Sequence, residues 1–105
     1  MSEAALHWLE ARDAAPPALH ERMVHWAAAA DAEEAPLALG QAALAALQRA
    51  LELGAARSAA LELLAADALV TYACEAAAGV GTEAMEQVLD AVGPGAFARL
   101  LDEAP

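Results

Sequence analysis

Residues 58–79 read SAALELLAADALVTYACEAAAG, and this stretch decides the fold. Glu62, Asp67 and Glu75 are its only charges over about six helical turns, and apolar residues fill more than half of its circumference. A helix that is apolar nearly all round is one that other helices enclose. The stretch is therefore expected to be the central rod of a small all-α domain, with the remaining segments laid against it.

The neighbouring sequence extends that reading. Upstream, Leu37, Gly40, Leu44, Leu47 and Leu51 recur in alternating three- and four-residue steps, a short heptad register on a helix expected over 36–53. Gly40 and the alanines around it would admit a close crossing with a neighbour. Gly54 is a natural helix stop, and the short gap to Ser58 predicts an antiparallel helical hairpin. Further out, Ser2 is a candidate N-cap for a helix running to about Ala14. It would carry Ala5, Trp8, Leu9 and Arg12 on one face, Leu6 at the edge, and Glu3, His7 and Glu10 opposite. Pro16-Pro17 closes it and opens a second helix to about Asp31, with Leu19, Met23, Trp26 and Ala30 in one stripe. The acidic stretch 31–36 reads as a loop. Downstream, Thr82 is the expected N-cap of a short helix with Met85, Val88, Leu89 and Val92 on its apolar face. Gly93-Pro94-Gly95 breaks it, and a last turn or two carries Phe97, Leu100 and Leu101. The expected architecture is all-α, a single domain over 1–105. It is a bundle of four principal helices in up-and-down order, plus a short C-terminal helix or two.

Composition agrees with helix and restricts partners. Of 105 residues 34 are alanine and 16 leucine, and alanine has the best helix propensity. Lys, Ile and Asn, whose codons are AT-rich, are absent, which is read as the mark of a GC-rich genome in preference to adaptation to high salt. Sixteen acids face five arginines, for a net charge of −11. Duplex nucleic acid and anionic membrane surfaces are bound through Lys/Arg, so neither is an expected partner. The single cysteine excludes an internal disulfide and suits a reducing compartment. The N-terminal residues show no basic segment followed by an apolar core, and the uncharged run 35–48 is too short to span a bilayer. A soluble, cytoplasmic protein is expected. The pattern resembles no named family.

Few residues invite chemistry. Glu3/His7 and Glu21/His25 repeat the motif E-x-x-x-H-W eighteen residues apart, and two such pairs could in principle supply four metal ligands. Di-metal carboxylate bundles use Glu-x-x-His on inward faces. Here the spacing is four and both pairs fall on outward faces, so solvated Glu–His contacts are the expectation, with no metal and no cofactor. His20, at the edge of the stripe, is expected to be a partly buried packing residue. Cys74 lies in an apolar helix beside Glu75, an unfavourable setting for a thiolate. Asp67, Thr71 and Glu75 form one polar line at four-residue steps, with Tyr72 beside it; the line is either a solvated edge or a binding strip. Trp8 and Trp26, with Met23, are either core or interface anchors.

These readings lead to a non-catalytic, self-associating protein-interaction module of unknown pathway. Its partner is a second copy or another protein, and Trp8, Trp26, Met23, Asp67, Thr71, Tyr72 and Glu75 are the binding candidates. The alternative is a small metal- or ligand-binding bundle, or an enzyme built on one, that uses the Glu/His pairs or the Asp67–Thr71–Glu75 line. A third reading, an acidic protein that occupies a basic partner surface, rests on charge alone and predicts salt-sensitive complexes.

Overall fold

A computed structural model describes residues 2–12 and 15–103. Among them the chain forms six helices: α1 (Glu3–Glu10), α2 (Pro17–Ala29), α3 (Ala35–Leu53), α4 (Arg57–Val80), α5 (Thr82–Val92) and α6 (Pro94–Glu103). The domain is all-α, and no strand occurs among the described residues. Four helices make the body and the two short C-terminal ones follow.

Local chemistry sets most of the boundaries. Ser2 caps α1 as expected: its Oγ accepts the Ala5 N–H at 3.2 Å and donates to the Glu33 carbonyl at 2.8 Å, which ties the start of α1 to the α2–α3 loop. Helix α1 stops at Glu10, earlier than expected; residues 13 and 14, including the expected end at Ala14, lie outside the described residues. Proline at N1 opens α2. Gly54 and Gly81 follow α3 and α4 with φ of 61° and 145°, conformations that a Cβ disfavours. Thr82 is the first residue of α5 and not its cap; Gly81 holds the N-cap position, without a side-chain hydrogen bond.

The α3–α4 hairpin forms the largest helix–helix contact in the molecule. On α4 the buried residues include Ala59, Glu62, Ala66, Leu69, Ala73 and Ala76, which recur at 3-4-3-4-3 steps. On α3 they include Pro36, Leu39, Ala43, Ala46 and Ala50, at 3-4-3-4. Both helices thus present heptad seams made mainly of alanine. The register expected for α3 is corrected by one residue. Leu37, Leu44, Leu47 and Leu51 are half-buried, while Gly40 and the residues just before the four leucines are buried. Alanine lets two helices approach closely, and side chains as long as leucine then fit only beside the seam.

The expected role of α4 also changes. It runs unbroken for 24 residues, about 36 Å, close to the 37 Å long dimension of the molecule. It packs on α2, α3 and α5, yet Leu63, Leu64, Asp67, Thr71 and Glu75 are exposed along its outer side. The best-covered helix is α3, which touches α1, α2, α4 and α5. The reason is thickness. The molecule measures only 20 Å in its short dimension, about two helix diameters, so every long helix of such a slab keeps an open edge. Among the described residues, α4 is the one helix long and apolar enough to cross a membrane, with mean hydropathy 1.4 over its best window. The core helix of a water-soluble domain meets the same criterion.

Helix α5 crosses α3 at Gly40, where Val92 and Ala91 are the nearest side chains. Helix α6 buries Ala96 and Leu100 and makes its main contact with α5. Phe97 and Leu101 are left exposed.

Candidate functional site

Two features stand out, a buried polar cluster and an open apolar cleft. The cluster centres on Glu62, the one charged residue in the alanine seam of α4 and only 4% exposed. From α2, Arg22 grips it in a fork, Nε to Oε1 at 2.9 Å and Nη2 to Oε2 at 3.2 Å. Trp26, one turn further along α2, donates its Nε1 hydrogen to Oε1 at 3.3 Å. Arg22 lies over the Trp26 ring, with 5.6 Å from its guanidinium carbon to the ring centroid, and His25 meets the same ring edge-on at 4.7 Å. Burial pushes the Glu62 carboxyl up. The hydrogen bonds from Arg22 and Trp26, with the nearby charges of Arg22 and His25, outweigh burial and hold it below the ordinary carboxylate value. The hydrogen bond to Glu62 in turn raises the Arg22 guanidinium above its ordinary value. Such a carboxylate stays ionised and occupied at neutral pH. Its arrangement is that of a structural clamp between α2 and α4, and it holds no proton ready for transfer.

The cleft lies on the opposite flank of the hairpin. Leu44 and Leu47 of α3 form one wall, Leu63, Ala66 and Val70 of α4 another, and Val92 with Phe97 close the α5–α6 side. Among the described residues Asp67 is the only ionisable one in the lining. The volume is about 250 Å³, under the roughly 300–1,000 Å³ of small-molecule pockets. Leu63 and Phe97 are exposed, so the cleft is an open trough whose size suits side chains. Exposed Leu64, Leu89 and Leu101 lie on the same three helices, α4, α5 and α6.

The binding candidates separate accordingly. Asp67, Thr71 and Glu75 do share an exposed line, and Thr71 Oγ1 donates back to the Asp67 carbonyl at 3.0 Å. Only Asp67 enters the cleft. Tyr72 faces the other way, with its ring 5.2 Å from that of Trp8, and Arg12 stacks on Trp8 at 3.5 Å. Trp8 and Trp26 are both half-buried against the core, each with an arginine over its ring. Met23 is 1% exposed, so as a core residue it offers no contact surface. Glu3, His7, Glu21 and His25 are all exposed, and His20 and Cys74 are half-buried. Among the described residues no three His, Cys, Asp or Glu side chains gather closely enough to hold a metal ion.

Sequence reasoning missed Arg22 with Glu62, and the cleft walls. A signal existed for the first. Counting alanine as a core residue puts Glu62 in register with Ala59 and Ala66, which marks it as an inward charge in need of a cation. No family model matches the chain, and no curated protein or solved structure matches it either.

Proposed function

We propose that this protein is a non-catalytic protein-interaction module that docks a helix in the cleft between the α3–α4 hairpin and α5–α6. One observation carries the reading: large apolar side chains of four helices converge on an open trough, although the domain has few of them to spare. Exposed apolar groups gathered on one face mark interaction surfaces, whereas scattered ones need no explanation. The catalytic alternative lacks a matching arrangement. Among the described residues the two shifted titratable groups, Arg22 and Glu62, bind each other, and the cleft lining holds a single carboxylate. The acidic composition and lone cysteine suit a cytoplasmic setting.

The test places a photo-crosslinking phenylalanine analogue at position 63 or 97 in the source cells, with position 83 on the exposed start of α5 as control. Protein adducts at 63 and 97 well above those at 83 are expected. Equal labelling at all three positions would refute the assignment.

A further inference from the structure

We infer that the occupant of the cleft is an amphipathic helix of another protein, carrying a lysine or arginine opposite Asp67; this rests on the docking role just proposed. Shape gives the helix. Along α4 the lining follows Leu63, Ala66, Asp67 and Val70, spacings of three, four and seven residues that cover two turns, about 10 Å. A partner helix meets such a stripe with its own apolar residues at the same spacings. Charge gives the partner's identity as a different protein. Asp67 stands among apolar walls with no cation in the lining. Asp67 is exposed, and an occupant that covers its carboxylate offsets the lost hydration by bringing a positive group.

A second copy offers few positive groups against many negative ones. It brings 16 acids and five arginines. Arg22 is committed to Glu62, Arg49 bonds Glu52 at 3.2 Å and Arg12 is stacked on Trp8, which leaves Arg57 and Arg99 as the exposed arginines outside these contacts. A two-fold pairing through this face would also bring two chains of charge −11 together, with an Asp67 from each at the contact. Like charges set against each other in an interface oppose association. Self-association, the leading expectation from sequence, is therefore disfavoured at this face.

Sequencing the peptides crosslinked at positions 63 and 97 tests the inference. The expected adduct is a segment of a different protein with apolar residues at helical spacing and a basic residue among them. A synthetic peptide of that segment should then bind the purified protein, with affinity falling about fivefold in Asp67→Asn. Asp67→Lys should abolish binding, and exchanging the peptide's basic residue for glutamate should restore it. Far-UV circular dichroism checks that the exposed substitutions leave the fold intact. Adducts with a second copy of this chain, or with a segment lacking a basic residue, overturn the inference and leave the docking role standing. An affinity unchanged in Asp67→Asn also overturns it. Adducts no more frequent than at position 83 remove the docking role itself.

Discussion

Replacing Arg22 with alanine strands a buried carboxylate. Glu62 Oε2 loses its arginine bond, and Oε1 keeps only the 3.3 Å contact from Trp26. Breaking a buried ion pair by removing one partner costs roughly 3–5 kcal/mol. The Arg22 side chain is 32% exposed, so its loss opens a path for water to the carboxylate, and the lower end, about 3 kcal/mol, is expected. That is a large fraction of the roughly 5–15 kcal/mol that holds an ordinary domain together. Glu62→Leu should be milder, about 1 kcal/mol, because the freed guanidinium can turn outward into solvent. Acidity supplies a second, independent check. In the native protein the Glu62 carboxyl is held below its unfolded value, so its contribution is complete above that value and is lost as pH falls through the folded pKa. In Arg22→Ala burial is no longer outweighed, and the folded pKa rises above the unfolded one. The resulting penalty is full above the raised pKa and fades as pH falls toward the unfolded value. The stability gap between the two proteins is therefore widest near neutrality and narrows in acid. Urea unfolding followed by circular dichroism at about pH 7 and about pH 4.5 measures both effects. A Glu62→Leu cost equal to that of Arg22→Ala, or a gap independent of pH, would refute the clamp.

Other expectations follow from the same geometry. Ser2→Ala removes both the α1 cap and the bond to the Glu33 carbonyl, and should cost about 1–2 kcal/mol in chemical denaturation. Gly40→Ala places its Cβ 3.5 Å from Val92 Cγ1 and 3.9 Å from the Ala91 Cβ, ordinary contact distances. The gain in helix propensity should then prevail, with stability rising by about 0.5–1 kcal/mol and a higher melting temperature. Gly93→Ala is the opposite case, since its Cβ would overlap the Leu89 carbonyl oxygen at the end of α5. It should destabilise the α5–α6 junction by about 1–3 kcal/mol, seen as faster amide exchange in α6 than in α3.

Much of this fold was legible because its punctuation is chemical. Ser2 as a cap, Pro17 at the start of α2, Gly54 after α3, and the break at Gly93 each follow from one residue's backbone or side-chain preference, whereas α4 runs one residue past its expected end at Gly79. The inward face of α1 was readable too, with Ala5 and Leu9 buried and Glu3, His7 and Glu10 exposed. The α3 seam was not, because periodicity was judged on leucine while the contact is made by alanine. Both residues repeat at heptad spacing on that helix, one position apart, and hydrophobicity alone ranks leucine first. The covering of α4 was overestimated for a related reason: alanine counts as apolar but tolerates exposure. Glu62 was readable as an inward charge once alanine is counted as core, but its partner was not, because Arg22 is forty residues away and only the packing of α2 on α4 joins them.

The one-residue offset of that seam links the core to the surface. Had Leu37, Leu44, Leu47 and Leu51 faced α4, their burial would have contributed about 1.5–3 kcal/mol each and left α3 with an alanine exterior. With alanine at the contact the hairpin closes tightly, and the leucines project to its flanks. There Leu44 and Leu47 become a wall of the cleft, and Leu63 and Val70 of α4 stand across from them. A thin seam contributes less burial per residue, which raises the importance of the directional Arg22–Glu62–Trp26 cluster in fixing how α2 sits on the hairpin. A single polar position within an apolar seam can select one helix register over its neighbours, since sliding by a turn would leave the charge unpaired. On this view the alanine-rich seam, the buried ion pair and the leucine-lined trough have one physical origin: on α3 most of the leucines are kept out of the seam and stand at its edge.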